Sequence, residues 1–198
     1  MAVNPPFRIL GIDPGTNILG YGVIEVNGTT LRLVEMNVIR LGAYRDHYEK
    51  LQHIFSGIRE VIRQFKPAMV AVESPFFGKN VQSMLKLGRA QGVAIAAVMT
   101  EGLGVVEYSP RRIKQAVTGK GGATKEQVAA MLAVLLNADT RYVLSDATDA
   151  VAAAVCYHFS QGKIPKSAVV KKKGPRARAG GWTDFLKENP GRIVGGNR

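Results

Sequence analysis

The chain holds a single cysteine, Cys156, among 198 residues. That excludes an internal disulfide framework and suits a reducing cytoplasm. No stretch approaches the roughly 18 consecutive apolar residues of a membrane span, so neither a span nor a membrane partner is expected. Met1 to Phe7 lacks the basic start and long apolar core of a secretory signal. The three histidines, His47, His53 and His158, are scattered, so no His/Cys cluster competes for zinc. Acidic residues are scarce beside basic ones: 15 Asp and Glu against 27 Lys and Arg leave a net charge of +12. An excess of that size points to a polyanionic partner while saying nothing about fold.

The positive charge is unevenly spread. Residues 163–198 carry ten Lys/Arg and two Asp/Glu, a net +8, whereas residues 1–162 carry seventeen against thirteen. We read residues 1–162 as one folded domain, since 46% hydrophobic content supports one good core. Residues 163–198 read as a basic, flexible tail. Its Lys171–Gly181 stretch would neutralise phosphates, or would simply be a solvated extension. Cys156 sits in an Ala/Val-rich helical pattern and reads as a small packed hydrophobe.

The organising stretch is Arg8–Thr16, an apolar run that ends on Asp13 and turns at Pro14-Gly15. Leu19 to Val26 gives a second strand and Leu31 to Leu41 a third, with Asn27-Gly28 as the turn between them. Leu51, Ile54, Phe55, Ile58, Val61, Ile62 and Phe65 form one apolar helical stripe that Lys66-Pro67 stops. Ala68–Val72 reads as a buried strand ending on Glu73. A loop carrying Phe76 and Phe77 leads to a helix over residues 80–100, rich in small residues. That helix either packs closely on the sheet or forms a subunit interface. Gly104–Tyr108 gives a fifth strand. Ser109-Pro110 starts a short basic helix bearing Arg111, Arg112 and Lys114, and Thr124 with Gln127 fits a capping box. Ser145 caps a last helix, 146–159, with Val151, Ala154, Val155 and Phe159 as apolar positions. The order of elements predicts an α/β domain with a mixed five-stranded sheet flanked by helices.

Four carboxylates arrive at corresponding places. Asp13 and Glu73 each end a strand, and Asp146 and Asp149 share the first turn of a helix. Oxygen donors from two strands and a helix would make a hard-ligand cage for Mg²⁺ or Mn²⁺. Two such metals support phosphodiester hydrolysis by generating a nucleophile and stabilising the leaving oxygen. Singly, each acid has an ordinary structural reading as a turn residue or a helix-dipole partner. A carboxylate directly after Val70-Ala71-Val72 is harder to explain without a partner.

Several separated motifs together resemble one family: Gly11–Thr16 followed by Gly20–Ile24, Glu73–Asn80, Leu85–Ala94 and Ser145–Ala150. In that order they resemble the RuvC Holliday junction resolvases, over about residues 8–160. The resemblance implies an RNase H-like fold and a homodimeric endonuclease that nicks two opposed strands of a four-way DNA junction. It implies Asp13, Glu73, Asp146 and Asp149 as catalytic metal ligands for two Mg²⁺ per subunit, with Mn²⁺ able to substitute. Lys114 and Lys125 would stand near the scissile phosphate, with Lys125 also catalytic. Phe76 would stack on unpaired bases at the junction centre. Arg111 and Arg112 complete the DNA-contact candidates. The small-residue helix would be the dimer surface, and a branch-migration helicase complex would be a partner.

Three other readings share features with the chain, one of them the resolvase-like group of the same fold that acts on RNA, from which the Phe76-Phe77 loop and the full motif series point away. Asp13-Pro14-Gly15-Thr16 also satisfies the phosphate-handling hairpin of actin and sugar kinases, which pair two such domains around ATP. A junction binder without catalysis would gain nothing from four acids facing phosphates.

Overall fold

Apolar alternation from Phe7 onward produces a meander of β1 (Phe7–Asp13), β2 (Ile18–Asn27) and β3 (Thr30–Arg40), all antiparallel. Gly28 makes the β2–β3 turn at φ +59°, where a Cβ would be strained. This computed structural model describes residues 5–75, 80–138 and 145–160. β4 (Met69–Glu73) pairs in parallel with β1, and β5 (Val105–Tyr108) in parallel with β4. The sheet order is β3-β2-β1-β4-β5. Parallel pairing requires a crossover between the strands, and α1 (His47–Phe65) and α2 (Val81–Thr100) lie in the two intervening segments.

Both helices cover one face. Ile54, Ile58, Val61 and Ile62 of α1 join Ala90, Ala94 and Val98 of α2 in a core with Leu10, Ile12, Val70 and Val72. α1 ends where Lys66 takes a left-handed conformation, φ 48°, just before Pro67.

The other face carries α5 (Ser145–Ser160), overlaid in turn by α3 (Pro110–Thr118) and α4 (Lys125–Leu136). A helix sandwiched in this way must be apolar all round, and residues 150–157 of α5 are buried without interruption. Cys156 is among them, a packed hydrophobe as its sequence context suggests. Phe159 departs from expectation at 45% exposed. In the last turn Tyr157 and Ser160 are covered, whereas Phe159 lies on the side that faces solvent.

The helix starts follow their capping chemistry. Ser109 accepts from the Arg112 amide, Asn80 accepts from the Ser83 amide, and both halves of the Thr124–Gln127 capping box form. Ser145, expected as a cap, instead lies within α5, and its hydroxyl is taken by the Lys125 ammonium at 2.9 Å. Among the described residues no helix is long and apolar enough to cross a membrane. The tail, 163–198, lies outside the described residues, as do Phe76 and Phe77.

Candidate active site

Strand parity decides where the first two carboxylates go. Side chains alternate across a sheet, so Ile9, Gly11 and Asp13 share one face of β1, and Met69, Ala71 and Glu73 one face of β4. Ile9 and Ala71 pack in the core that contains α5, so both acids face α5. Ile12 is paired with Val72 in parallel register, which makes Asp13 and Glu73 next in line on neighbouring strands. They are therefore about 5 Å apart at the backbone.

Glycine brings α5 down onto them. A Cβ at Gly11 would run into the Ala150 carbonyl, one at Gly20 into the Asp146 carbonyl, and one at Gly22 into Val151. Three bare positions on one sheet face thus let the helix backbone lie directly on the strands. Gly20 is the antiparallel partner of Asp13. The start of α5, with Asp146 in its first turn and Asp149 just beyond it, consequently stands over the end of β1.

The charges interact strongly. Burial, followed by the charges of Glu73, Asp149 and Asp146, pushes the Asp13 carboxyl up to about 8, with Lys125 opposing. Burial and then Asp149 raise Glu73 to about 7, while Lys125 and Lys114 pull it down. Lys125 Nζ donates to Asp149 Oδ2 at 2.7 Å, and that bond raises its own pKa against the effect of desolvation. α4 positions Lys125 as its first residue, at the turn the capping box fixes.

Chemically, the site is oxygen-only, partly buried and short of positive charge. That donor set fits a hard divalent cation such as Mg²⁺ or Mn²⁺. Among the described residues no three His, Cys, Asp or Glu side chains already converge as a ligand set. The Lys125 ammonium pairs with Asp149, offsetting one of the four negative charges.

The remaining candidates are spread more widely. Lys114 is near enough to Glu73 to lower its pKa. Arg111 packs over Gly121. The Arg112 guanidinium donates to Ser160 Oγ at 3.3 Å, at the end of α5 opposite Asp146. Phe76 falls outside the described residues. Reading the sequence missed the glycine floor, although alternating glycines within a strand signal close backbone approach. It also missed Ser145 as a second partner of Lys125, a tertiary contact without a local signal.

Comparison with known proteins gives consistent results. The family model for the crossover junction endodeoxyribonuclease RuvC matches residues 9–157. The crossover junction endodeoxyribonuclease RuvC of Cytophaga hutchinsonii is 51% identical over 93% of this chain and 87% of its own length. That of Porphyromonas gingivalis is 49% identical, covering 93% of this chain and 96% of its own. Among solved structures, Thermus thermophilus RuvC in complex with Holliday junction substrate superposes with a TM-score of 0.73 and 33% identity. It covers 78% of this chain and 94% of that one. The architecture is the RNase H-like one that the motifs implied.

Proposed function

The chain belongs to the RuvC family of crossover junction endodeoxyribonucleases, and from that premise we propose that it resolves Holliday junctions by metal-dependent phosphodiester hydrolysis, nicking two opposed strands symmetrically. What supports the reading is that Asp13 and Glu73 end neighbouring strands on the face that α5 covers, with the Asp146 backbone lying directly over Gly20, the strand partner of Asp13.

Asp13, Glu73, Asp146 and Asp149 would hold Mg²⁺, two per subunit, with Mn²⁺ as a substitute. Bound there, the ions supply Lewis acidity toward water and phosphate. The chain's own residues do the rest. Lys125, held by Asp149 and Ser145 at 2.7 and 2.9 Å, keeps a proton and a positive charge at the edge of the group. In that place it offsets negative charge developing on a phosphate oxygen. Lys114 adds a second positive charge beside Glu73, and Arg111 and Arg112 extend the basic surface of α3. The overlying α5 backbone partly buries Asp13 and Glu73, which strengthens each charge interaction. Phe76 follows Glu73 by three residues, within about 10 Å along the chain, a short reach for stacking on an unpaired base.

Symmetric nicking asks for two equivalent sites, which a twofold homodimer supplies. α2 has a surface suited to it. Val81, Leu85, Gly88, Gly92, Ile95 and Met99 recur at alternating spacings of four and three. Val81, Leu85 and Met99 are 68%, 53% and 54% exposed, and open space surrounds the two glycines. A branch-migration helicase complex is the cellular partner we assign by family.

The test uses a labelled four-way junction and a sequence-matched linear duplex, each with Mg²⁺ or a chelator. Paired nicks at symmetric positions in the junction, dependent on Mg²⁺, support the reading. Equal cutting of the duplex, or nicking in chelator, overturns it.

A further inference from the structure

The β1–β2 turn has a second side. Asp13 faces α5, but the turn that follows wraps over the sheet edge toward α1 and α2. There Thr16 and Asn17, with Ser83 from α2, line a hollow of about 240 Å³ whose charged lining is Arg45, Lys50 and Lys86. Among the described residues no carboxylate lines it, and none of the three cations forms an ion pair. Three positive charges around one hollow repel each other, so an anion placed among them relieves a standing cost.

Three further observations indicate what the hollow takes. Lys50 Nζ donates to Asn17 Oδ1 at 2.8 Å, fixing one ammonium at the wall rather than leaving it to sweep solvent. Asp46, the N-cap of α1, makes no side-chain cap hydrogen bond, which leaves the first-turn amides of this 19-residue helix without a side-chain cap, although the Asp46 and Glu49 carboxylates stand at the same helix start. His47 lines it too, and its Nε2 is buried with no hydrogen-bond partner among the described residues. The charged side chains of the lining are positive, and no lining carboxylate opposes them. That is the complement of a phosphate.

We propose that this hollow binds a backbone phosphate of the DNA substrate, flanking the phosphate that is cut. The proposal rests on the nuclease reading above for the identity of the substrate. Asn17 is four residues from Asp13, so the two sites are separated by no more than about 14 Å of chain. Phosphates of one strand rise about 3.4 Å each along the helix axis and, because the strand also winds, lie farther apart through space, so that reach spans a few nucleotides at most. A phosphate held on the α1/α2 side would fix the strand's register while the carboxylates on the α5 side receive the scissile one. Contacts of this class position without reading sequence.

The experiment measures binding of a labelled four-way junction by the full chain, in chelator, from 50 to 200 mM salt. The wild type is compared with Lys50→Gln, Lys86→Gln, the double variant and Lys50→Arg. Lys66→Gln, at the other end of α1, is the control for removal of a positive charge. The expected result for the double variant is a log–log salt slope shallower by about 0.9, the change expected when one fewer phosphate is neutralised. Its affinity at 50 mM should fall about tenfold, with Lys50→Arg and Lys66→Gln close to wild type. A double variant with the wild-type slope, or no different from Lys66→Gln, overturns the phosphate site while leaving the nuclease reading intact. A wild type that does not bind the junction overturns both.

Discussion

Lys125 Nζ stands 2.7 Å from Asp149 Oδ2 and places its charge at the edge of four interacting carboxylates. Because the pair is part exposed, its direct worth to stability is small, of order 1 kcal/mol or less. Its effect on the site is larger, because Lys125 lowers the pKa of both Asp13 and Glu73. Lys125→Ala should therefore reduce single-turnover cleavage by about 10²-fold while changing junction affinity by less than about threefold. The rising limb of its pH–rate profile should move to higher pH. Equal reductions in rate and affinity, with an unmoved profile, would identify Lys125 as a binding residue only.

Asp13→Asn and Glu73→Gln should each lower cleavage by about 10³-fold or more while leaving binding of a four-way junction largely intact. Gel-shift titration beside a cleavage time course separates the two effects. Retained cleavage in either variant refutes the ligand assignment.

Stability should depend on pH in a direction that metal reverses. Asp13 is raised from 3.8 to about 8 and Glu73 from 4.5 to about 7. Between those limits the native state binds more protons than the unfolded chain, so unfolding free energy falls as pH rises. The contribution is full below about pH 4 and gone above about pH 8. In chelator, the Asp13→Asn variant should accordingly melt on the order of 5 °C above wild type at pH 8 and closer to it at pH 5. Adding Mg²⁺ at pH 8 should stabilise the wild type and not the variant. Thermal melts at the two pH values decide the matter, and a variant less stable than wild type at pH 8 contradicts it.

The glycine floor predicts a severe response to one methyl group. Gly20→Ala sets a Cβ against the Asp146 carbonyl, and Gly22→Ala sets one against Val151. Backbone cannot yield as a side-chain tip does, so we expect Gly20→Ala to destabilise by about 2–4 kcal/mol in denaturant unfolding. Gly88→Ala on α2 meets open space and should be neutral or slightly stabilising in the monomer.

If α2 forms the dimer surface, Leu85→Asp should convert the protein to a monomer by sedimentation or light scattering. Junction resolution should then disappear before nicking of a single arm does. An unchanged oligomeric state would move the interface elsewhere.

Much of this was legible from residues alone, for identifiable reasons. Asp13 and Glu73 each close an apolar run, so a carboxylate at a sheet edge could be read without knowing the partner strand. Their common face follows from parity, since Ile9 and Ala71 share it and pack beneath α5. The capping box at Thr124 is local chemistry, and both of its hydrogen bonds form. What escaped is tertiary. The hold of Lys125 on Asp149 spans 24 positions, and that of Arg112 on Ser160 spans 48. No periodicity encodes such pairs.

The most direct measurement is titration of the full chain with Mn²⁺, following free ion by electron paramagnetic resonance, for wild type, Asp13→Asn and Glu73→Gln. The account predicts saturable binding by the wild type and at least about tenfold weaker binding by each variant, consistent with removal of an oxygen ligand. Equal Mn²⁺ affinity in all three proteins would contradict it.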